Sequence, residues 1–365
     1  MSLIKDIYSP SFYNQFADLV GSVIPSFDKE KFINRIYSDD FEHKEWKERM
    51  KHTTKIFHEF MPAEFANAVK LILQIIKKLK EDKHGDGNLA YIFFPDYIES
   101  YGLNDFDNSV MAFEPITKFI SCEFAVRPFI LKYGDRMLSQ MTIWSKHENP
   151  QVRRLSSEGS RPRLPWAMAL PELKKDPAAI LPILENLKSD PSESVRRSVA
   201  NSMNDIAKDH PDVVIKLAAK WKGISKETDA IIKHGCRTLL KQGHLEILKH
   251  YNLESKDLLL TDFVVLTPEV EIGGQLTFSF SLKNMNQLEQ VVRLEYGIYY
   301  RKANGQLSKK VFKISEKICE PGAVLNIHRN QSFKLITTRT FYTGGHQLSI
   351  IINGEEKGVK SFVII

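Results

Sequence analysis

Only three cysteines occur in the 365 residues, Cys122, Cys236 and Cys319. They lie far apart and form no CxxC pair, which excludes a disulfide framework and a zinc knuckle and fits a reducing cytoplasm. No run of about 18 uninterrupted apolar residues is present, so no membrane-spanning helix is expected. The stretch MSLIKDIYSPSFYNQF lacks the basic-then-apolar layout of a secretory signal. His147, His210, His234, His244 and His250 show no HExxH or other ligand spacing, so neither a metal nor a cofactor is expected. The Gly-Gly pairs at 273–274 and 344–345 read as turns that lead into no helix, which removes a phosphate loop. No Gly-x-Ser-x-Gly nucleophile elbow and no low-complexity segment occur.

What remains is a globular composition, 42% hydrophobic and 26% charged. The net charge of +6 matters less than its placement. Residues 127–241 hold 21 Lys and Arg against 13 Asp and Glu, while the rest of the chain holds 30 against 32. Basic character is therefore concentrated in one segment, which suits a polyanion such as DNA or simply marks solvated helix faces.

That segment repeats itself. Aligning VRR at 152–154 with VRR at 195–197 gives a period of 43 residues, within the range of about 40–47 seen in HEAT and armadillo repeats. Each copy opens on a turn that suits a helix start, Asn149-Pro150 or Asp190-Pro191. A second helix is expected over 177–187 and 211–221, and a third copy could open at 229–240. Helical periodicity extends upstream, most clearly in ANAVKLILQIIKKL at 66–79, with its stripe at Val69, Ile72, Ile75 and Ile76. The following KEDKHGDGN reads as a loop. Further helices are expected near 112–120, 122–133 and 134–146. One repeat cannot bury its own apolar face, so several should stack. Near residue 257 the period changes to two: Leu276, Phe278, Phe280, Leu282, then Val292 to Tyr300, then Leu348, Ile350, Ile352, with turns at Asn304-Gly305 and Asn353-Gly354. The expected fold is an all-α HEAT-like α-solenoid over 1–256 followed by an all-β immunoglobulin-like sandwich over 257–365, whose usual size is about 100 residues.

On the helix near 192–208, Arg197, Asn201, Asn204, Asp205 and Lys208 form one polar stripe beside the apolar Val195, Val199, Met203 and Ile206. Arg154, Glu158 and Arg161 hold the matching positions of the previous copy, so the two stripes should adjoin. A solvated face with pairs such as Arg154–Glu158 is the plainer alternative. The choice of arginine at each VRR favours phosphate or carboxylate recognition. The connector SRPRLPW cannot be helical, because Pro162 and Pro165 remove backbone donors. It carries Arg161, Arg163 and Trp166. Trp166 could stack on a base or a cation, or pack in the core. Glu123 is an acid in an apolar stretch, either functional or paired with arginine, Arg127 being the nearest. The tip RKANGQLSKK, with Arg301, Lys302, Lys309 and Lys310, is either a DNA probe or a basic solvent hairpin.

SSEGSRPRLPW followed by DPSESVRRSVANSMNDIAKDHPD resembles the AlkC-type bacterial alkylpurine DNA glycosylases. The runs YYRKANGQLSKKVFKI and TTRTFYTGGHQLSIIINGEEK resemble the immunoglobulin-like domain of one subset of that family, and WKERMKH also fits. The resemblance covers essentially the whole chain, though loosely over the first hundred residues. It implies a monofunctional DNA N-glycosylase acting on cationic alkylated bases such as N3-methyladenine in double-stranded DNA, without rotating the base into a pocket. It places Glu123, Glu158, Trp166 and Asp205 at the lesion and Arg154 and Arg161 near lesion and backbone. Asp205 is expected to act on the sugar cation, with Glu158 and Glu123 supporting, while Arg163, Arg197, Asn201, Lys208, Arg301 and Lys302 are expected to contact DNA. A bacterial cytosolic monomer without cofactor or metal is expected. A HEAT-repeat adaptor without chemistry is the alternative.

Overall fold

The computed structural model describes residues 3–38, 40–82, 88–335 and 339–365. Residues 83–87 of the loop expected after 79 lie outside that set. Sixteen α-helices precede eight strands among the described residues. They begin with α1 Pro10–Val23, α2 Lys29–Ile36, α3 Trp46–His58, α4 Phe65–Glu81, α5 Phe93–Gly102, α6 Phe106–Thr117, α7 Val126–Tyr133 and α8 Asp135–Trp144. Then follow α9 Pro150–Gly159, α10 Pro171–Lys175, α11 Leu181–Leu187, α12 Glu193–Ile206, α13 Pro211–Trp221, α14 Lys226–Gly235, α15 Arg237–Gln242 and α16 Leu245–His250. Two compact units result: Met1–His210 with Lys220–Gly235, and Pro211–Ala219 with Cys236–Ile365.

The apolar stripes of the helices are buried as their period demands. In α4, Val69, Ile72, Ile75 and Ile76 are all core residues, and in α12 so are Val195, Val199, Met203 and Ile206. The helix expected over 112–120 instead starts at Phe106, because the Asp105 side chain accepts the Asn108 N–H at 3.2 Å and caps it. The helix expected from 122 starts at Val126, after a turn that contains Glu123.

The second unit holds β1 Leu258–Val265, β2 Glu269–Val270, β3 Gln275–Asn284, β4 Gln290–Arg301, β5 Leu307–Cys319, β6 Val324–Ser332, β7 Gly344–Ile352 and β8 Glu355–Ile364. They form a three-stranded sheet, β1-β3-β6, and a five-stranded sheet, β2-β8-β7-β4-β5, antiparallel apart from β2 with β8. Leu276, Phe278, Phe280 and Leu282 of β3 share one core with Val292, Leu294, Tyr296, Ile298 and Tyr300 of β4 and Leu348, Ile350 and Ile352 of β7. Asn353 and Gly354 both take positive φ, 47° and 79°, and close the two-residue β7–β8 turn that such a pair favours. The outward residues of β4 are buried too: Arg293 bonds Glu295 at 2.6 Å and Glu316 at 3.0 Å.

In α5, Asp96 and Glu99 stand one turn apart, and Asp96 accepts the Thr54 hydroxyl at 2.5 Å. Burial, then the neighbouring Asp96, pushes Glu99 up to about 7. The folded chain therefore holds a proton on Glu99 that the unfolded chain releases near 4.5. This group's contribution to stability is present below that pH and is lost as pH rises through about 7. The Glu99→Gln variant should show a flatter Tm against pH between those values than the parent, checked by calorimetry.

Candidate functional site

The site grows from two stacked helices. Asn149 caps α9 by accepting the Gln151 N–H at 2.9 Å, with Pro150 in the first turn. Ser192 stands at the same place before α12, and its N–H bonds Asp190 Oδ1 at 2.8 Å. The first arginine of each VRR serves this architecture. Arg153 grips Asp190 through Nε at 2.5 Å and Nη2 at 3.0 Å and bonds the carbonyls of His147 and Glu148. Arg196 bonds the Asp190 and Pro191 carbonyls, both at 2.8 Å. Only the second arginines, Arg154 and Arg197, belong to the polar face. Between the helices the seam is small: Ser157 donates to Ser198 at 2.6 Å, with Ser156 and Ser202 also buried. At Gly159 an added Cβ would lie 2.6 Å from Val126 Cγ2, so nothing larger fits where α9 ends.

Pro162 cuts off α9 where the matching helix of the next copy runs on to Asp205. The freed Arg161 folds back and bridges two acids, each the next-to-last residue of its helix. Its Nη1 donates to Glu158 Oε1 at 2.5 Å and its Nε to Asp205 Oδ2 at 2.9 Å. Glu158, Asp205 and Arg161 are only 6%, 2% and 6% exposed. A helix C-terminus disfavours negative charge by about 0.3–1 kcal/mol, so both acids depend on that guanidinium. Burial works against the charge on Arg161, but Glu158 and Asp205 outweigh it and raise its pKa. Lys208 takes the remaining Asp205 oxygen at 3.1 Å and is half-exposed.

Glu123 pairs with Arg154 Nη1 at 2.6 Å and accepts the Ser121 hydroxyl at 2.7 Å. The alternative pairings, Glu123 with Arg127 and Arg154 with Glu158, are not formed. The reason is local: Glu123 sits in the turn before α7 rather than one helical turn from Arg127. Arg127 is fully buried and holds the connector instead, donating to the Gly159, Arg161 and Met168 carbonyls at 2.9, 2.8 and 2.7 Å. Burial, then the charge of Arg161, lowers its pKa to about 10.

Trp166 is not core. It is 64% exposed, has a φ of 64°, and lies 5.8 Å from the Trp46 ring at 53°. A left-handed backbone on a bulky residue costs on the order of 1–3 kcal/mol and marks a held conformation. A cleft of about 370 Å³ is lined by Trp166, Trp46, Phe124, Glu123, Glu158 and Arg161, so two of the three expected acids reach it. Asp205 does not line it, and its two oxygens are taken by Arg161 and Lys208. A second cleft, about 580 Å³, joins Arg154 and Glu158 to Arg197, Asn201 and the start of α12. Arg197 is exposed and pairs with Glu193 at 3.3 Å, and Asn201 bonds His234 at 3.1 Å. Arg163 is engaged by Asp209, with its shortest bond at 2.6 Å. In the sandwich, Arg301 and Lys302 line a cleft of about 460 Å³ with Lys309, Lys310 and Arg339.

The sequence reading missed Trp46 and Lys47, which come from α3 to the Trp166 connector. It also missed the role of Arg127. The motif WKERMKH carried the first two, but periodicity cannot relate position 47 to position 166.

Helical repeats and a C-terminal sandwich of this kind define the class. A HEAT-repeat family model matches residues 180–210, and the family described as "Uncharacterised protein YhaZ, C-terminal Ig-like domain" matches 259–365. The uncharacterized protein YhaZ of Bacillus subtilis (strain 168) is 41% identical over the full length of both chains. The Pseudomonas fluorescens alkylpurine DNA glycosylase AlkC, solved bound to DNA containing an abasic site analog, superposes with a TM-score of 0.94 at 33% identity over all of both chains. The chain belongs to the AlkC family, in the subset with a C-terminal immunoglobulin-like domain.

Removing the shared guanidinium would strand two buried acids. Arg161→Met should cost about 3–5 kcal/mol. Adding Asp205→Asn to that variant should recover part of the loss, both read from urea unfolding midpoints.

Proposed function

We propose that the protein is a monofunctional DNA N-glycosylase that releases cationic alkylated bases such as N3-methyladenine from double-stranded DNA. The observation that carries the reading is the convergence of Glu123, Glu158 and Asp205 with Arg154, Arg161 and exposed Trp166, on a chain similar along its whole length to a DNA-bound alkylpurine DNA glycosylase. A cationic base is already a good leaving group. The C1′–N bond breaks, the electron pair leaves with the base and neutralises it, and positive charge develops on the sugar. A carboxylate stabilises that oxocarbenium ion electrostatically, water adds at C1′, and a carboxylate takes the water's proton. Asp205 is assigned the leading role, with Glu158 and Glu123 supporting.

Both Asp205 oxygens are occupied, so the step needs a rearrangement. Lys208 is half-exposed, and a DNA phosphate competes for it directly. Drawing Lys208 away uncovers Asp205 while Arg161 keeps it in place. Trp166 meets the sugar and backbone beside the lesion. The lesion remains stacked in this reading, which suits acids placed to act on the sugar rather than donors placed to activate a base. The cleft beside Trp166 favours a second reading, insertion of the base, because about 370 Å³ is within the range of small-ligand sites.

Wild-type protein should release N3-methyladenine from methylated duplex, and Asp205→Asn should lose at least about a hundredfold in single-turnover rate while keeping DNA affinity. Unchanged release by the variant would remove Asp205 from the mechanism. No release by pure wild type, with DNA binding intact, would favour the non-catalytic adaptor.

The basic cleft of the sandwich is assigned to backbone contact. Reversing Lys302 and Lys310 to Glu should weaken binding of undamaged duplex about tenfold or more and reduce the slope of log affinity against log salt by about 2. Titrations at several salt concentrations check both.

A further inference from the structure

We propose that Trp46 and Lys47, at the start of α3, are positioning residues that hold Trp166 over the acidic cleft. The inference rests on the glycosylase reading for its catalytic consequence, but not for the contact itself.

Trp166 has two features that do not coexist without support. The residue is 64% exposed, and its backbone occupies a region that bulky side chains avoid. The connector alone supplies part of the restraint: Leu170 N–H closes on the Pro162 carbonyl at 3.1 Å, and Arg127 holds the carbonyls of Arg161 and Met168 on either side. None of these bonds touches Trp166 itself. Two contacts from α3 do. The Lys47 ammonium donates to the Trp166 carbonyl, and the Trp46 ring lies against the Trp166 ring. Lys47 is in turn fixed beside the Phe124 ring, 5.7 Å from its centroid. The helix start that presents both residues is stiffened by the Glu45 N–H, which bonds Glu48 Oε2 at 2.8 Å. Trp46 is 6% exposed, so the pair consists of one buried ring and one presented ring. Lys47 is itself exposed, and its ammonium engages a backbone carbonyl, where it fixes one peptide.

Fluorescence can read this directly. The chain has four tryptophans, and Trp46, Trp144 and Trp221 are 6%, 2% and 0% exposed. Acrylamide therefore reports mainly on Trp166. In full-length Lys47→Met, quenching by acrylamide should rise about twofold and Trp anisotropy should fall, while Lys47→Arg stays near the parent. Trp46→Leu, which changes no charge, should also loosen Trp166.

Single-turnover release of N3-methyladenine should fall about tenfold in Lys47→Met and in Trp46→Leu, with affinity for undamaged duplex within about twofold in the latter. In a Trp166→Ala background neither substitution should cost anything more, because the ring they hold is gone. Unchanged quenching and anisotropy in Lys47→Met and Trp46→Leu would overturn the proposal. So would a full additional loss in the Trp166→Ala background. If wild type releases no base, the glycosylase reading fails, and the fluorescence arm still decides whether Trp46 and Lys47 hold Trp166.

Discussion

Arg161 carries two buried acids at once, and the geometry of the helical face follows from that obligation. Glu158 and Asp205 end neighbouring helices, where both helix dipoles oppose negative charge. One guanidinium between them at 2.5 and 2.9 Å therefore sets the register of α9 against α12. For Arg161 to reach both, α9 must end early, and Pro162 enforces that end. For the irregular connector to stay in place, its carbonyls need donors, and buried Arg127 supplies them. The serine seam lets the helices approach closely enough for a single side chain to span them, and Gly159 lets the end of α9 close on Val126 of α7.

Arginine use along the face divides by depth. Arg153 and Arg196 close their own repeat turns, Arg127 and Arg161 organise the interior, and half-buried Arg154 and exposed Arg197 are left on the polar face. The same residue type therefore does architectural and surface work one position apart. This division also explains how several carboxylates gather on one face: each is paired with a cation, Arg154 for Glu123, Arg161 shared by Glu158 and Asp205, and Lys208 on the second oxygen of Asp205.

The fold was legible in the sequence wherever a period carried it. The 43-residue repeat, the stripe of α12 and the alternation of β3, β4 and β7 all appear as the pattern requires. The site was legible in part. Arg161, Glu158 and Asp205 adjoin as the aligned copies implied. Trp166 is presented rather than packed, a choice the residue type could not make because tryptophan suits both. Glu123 took a different partner because a turn replaced the expected helix start at 122. Trp46 and Lys47 were invisible to spacing, since the contact spans 119 residues. Buried Arg293 and Glu295 read as ordinary outward strand residues, since alternation does not reveal that both faces of β4 are covered.

On the proposed mechanism, the charge of the damaged base supplies the leaving-group activation and the acids supply stabilisation of the sugar cation. That division makes lesion charge the decisive variable. The most direct test is chromatography of bases released by wild-type protein from matched duplexes carrying N3-methyladenine, N3-methylcytosine, N7-methylguanine or neutral hypoxanthine. Release from cationic lesions, led by N3-methyladenine, with none from hypoxanthine is the predicted result. Comparable release of hypoxanthine, or no release from any duplex, would contradict the account.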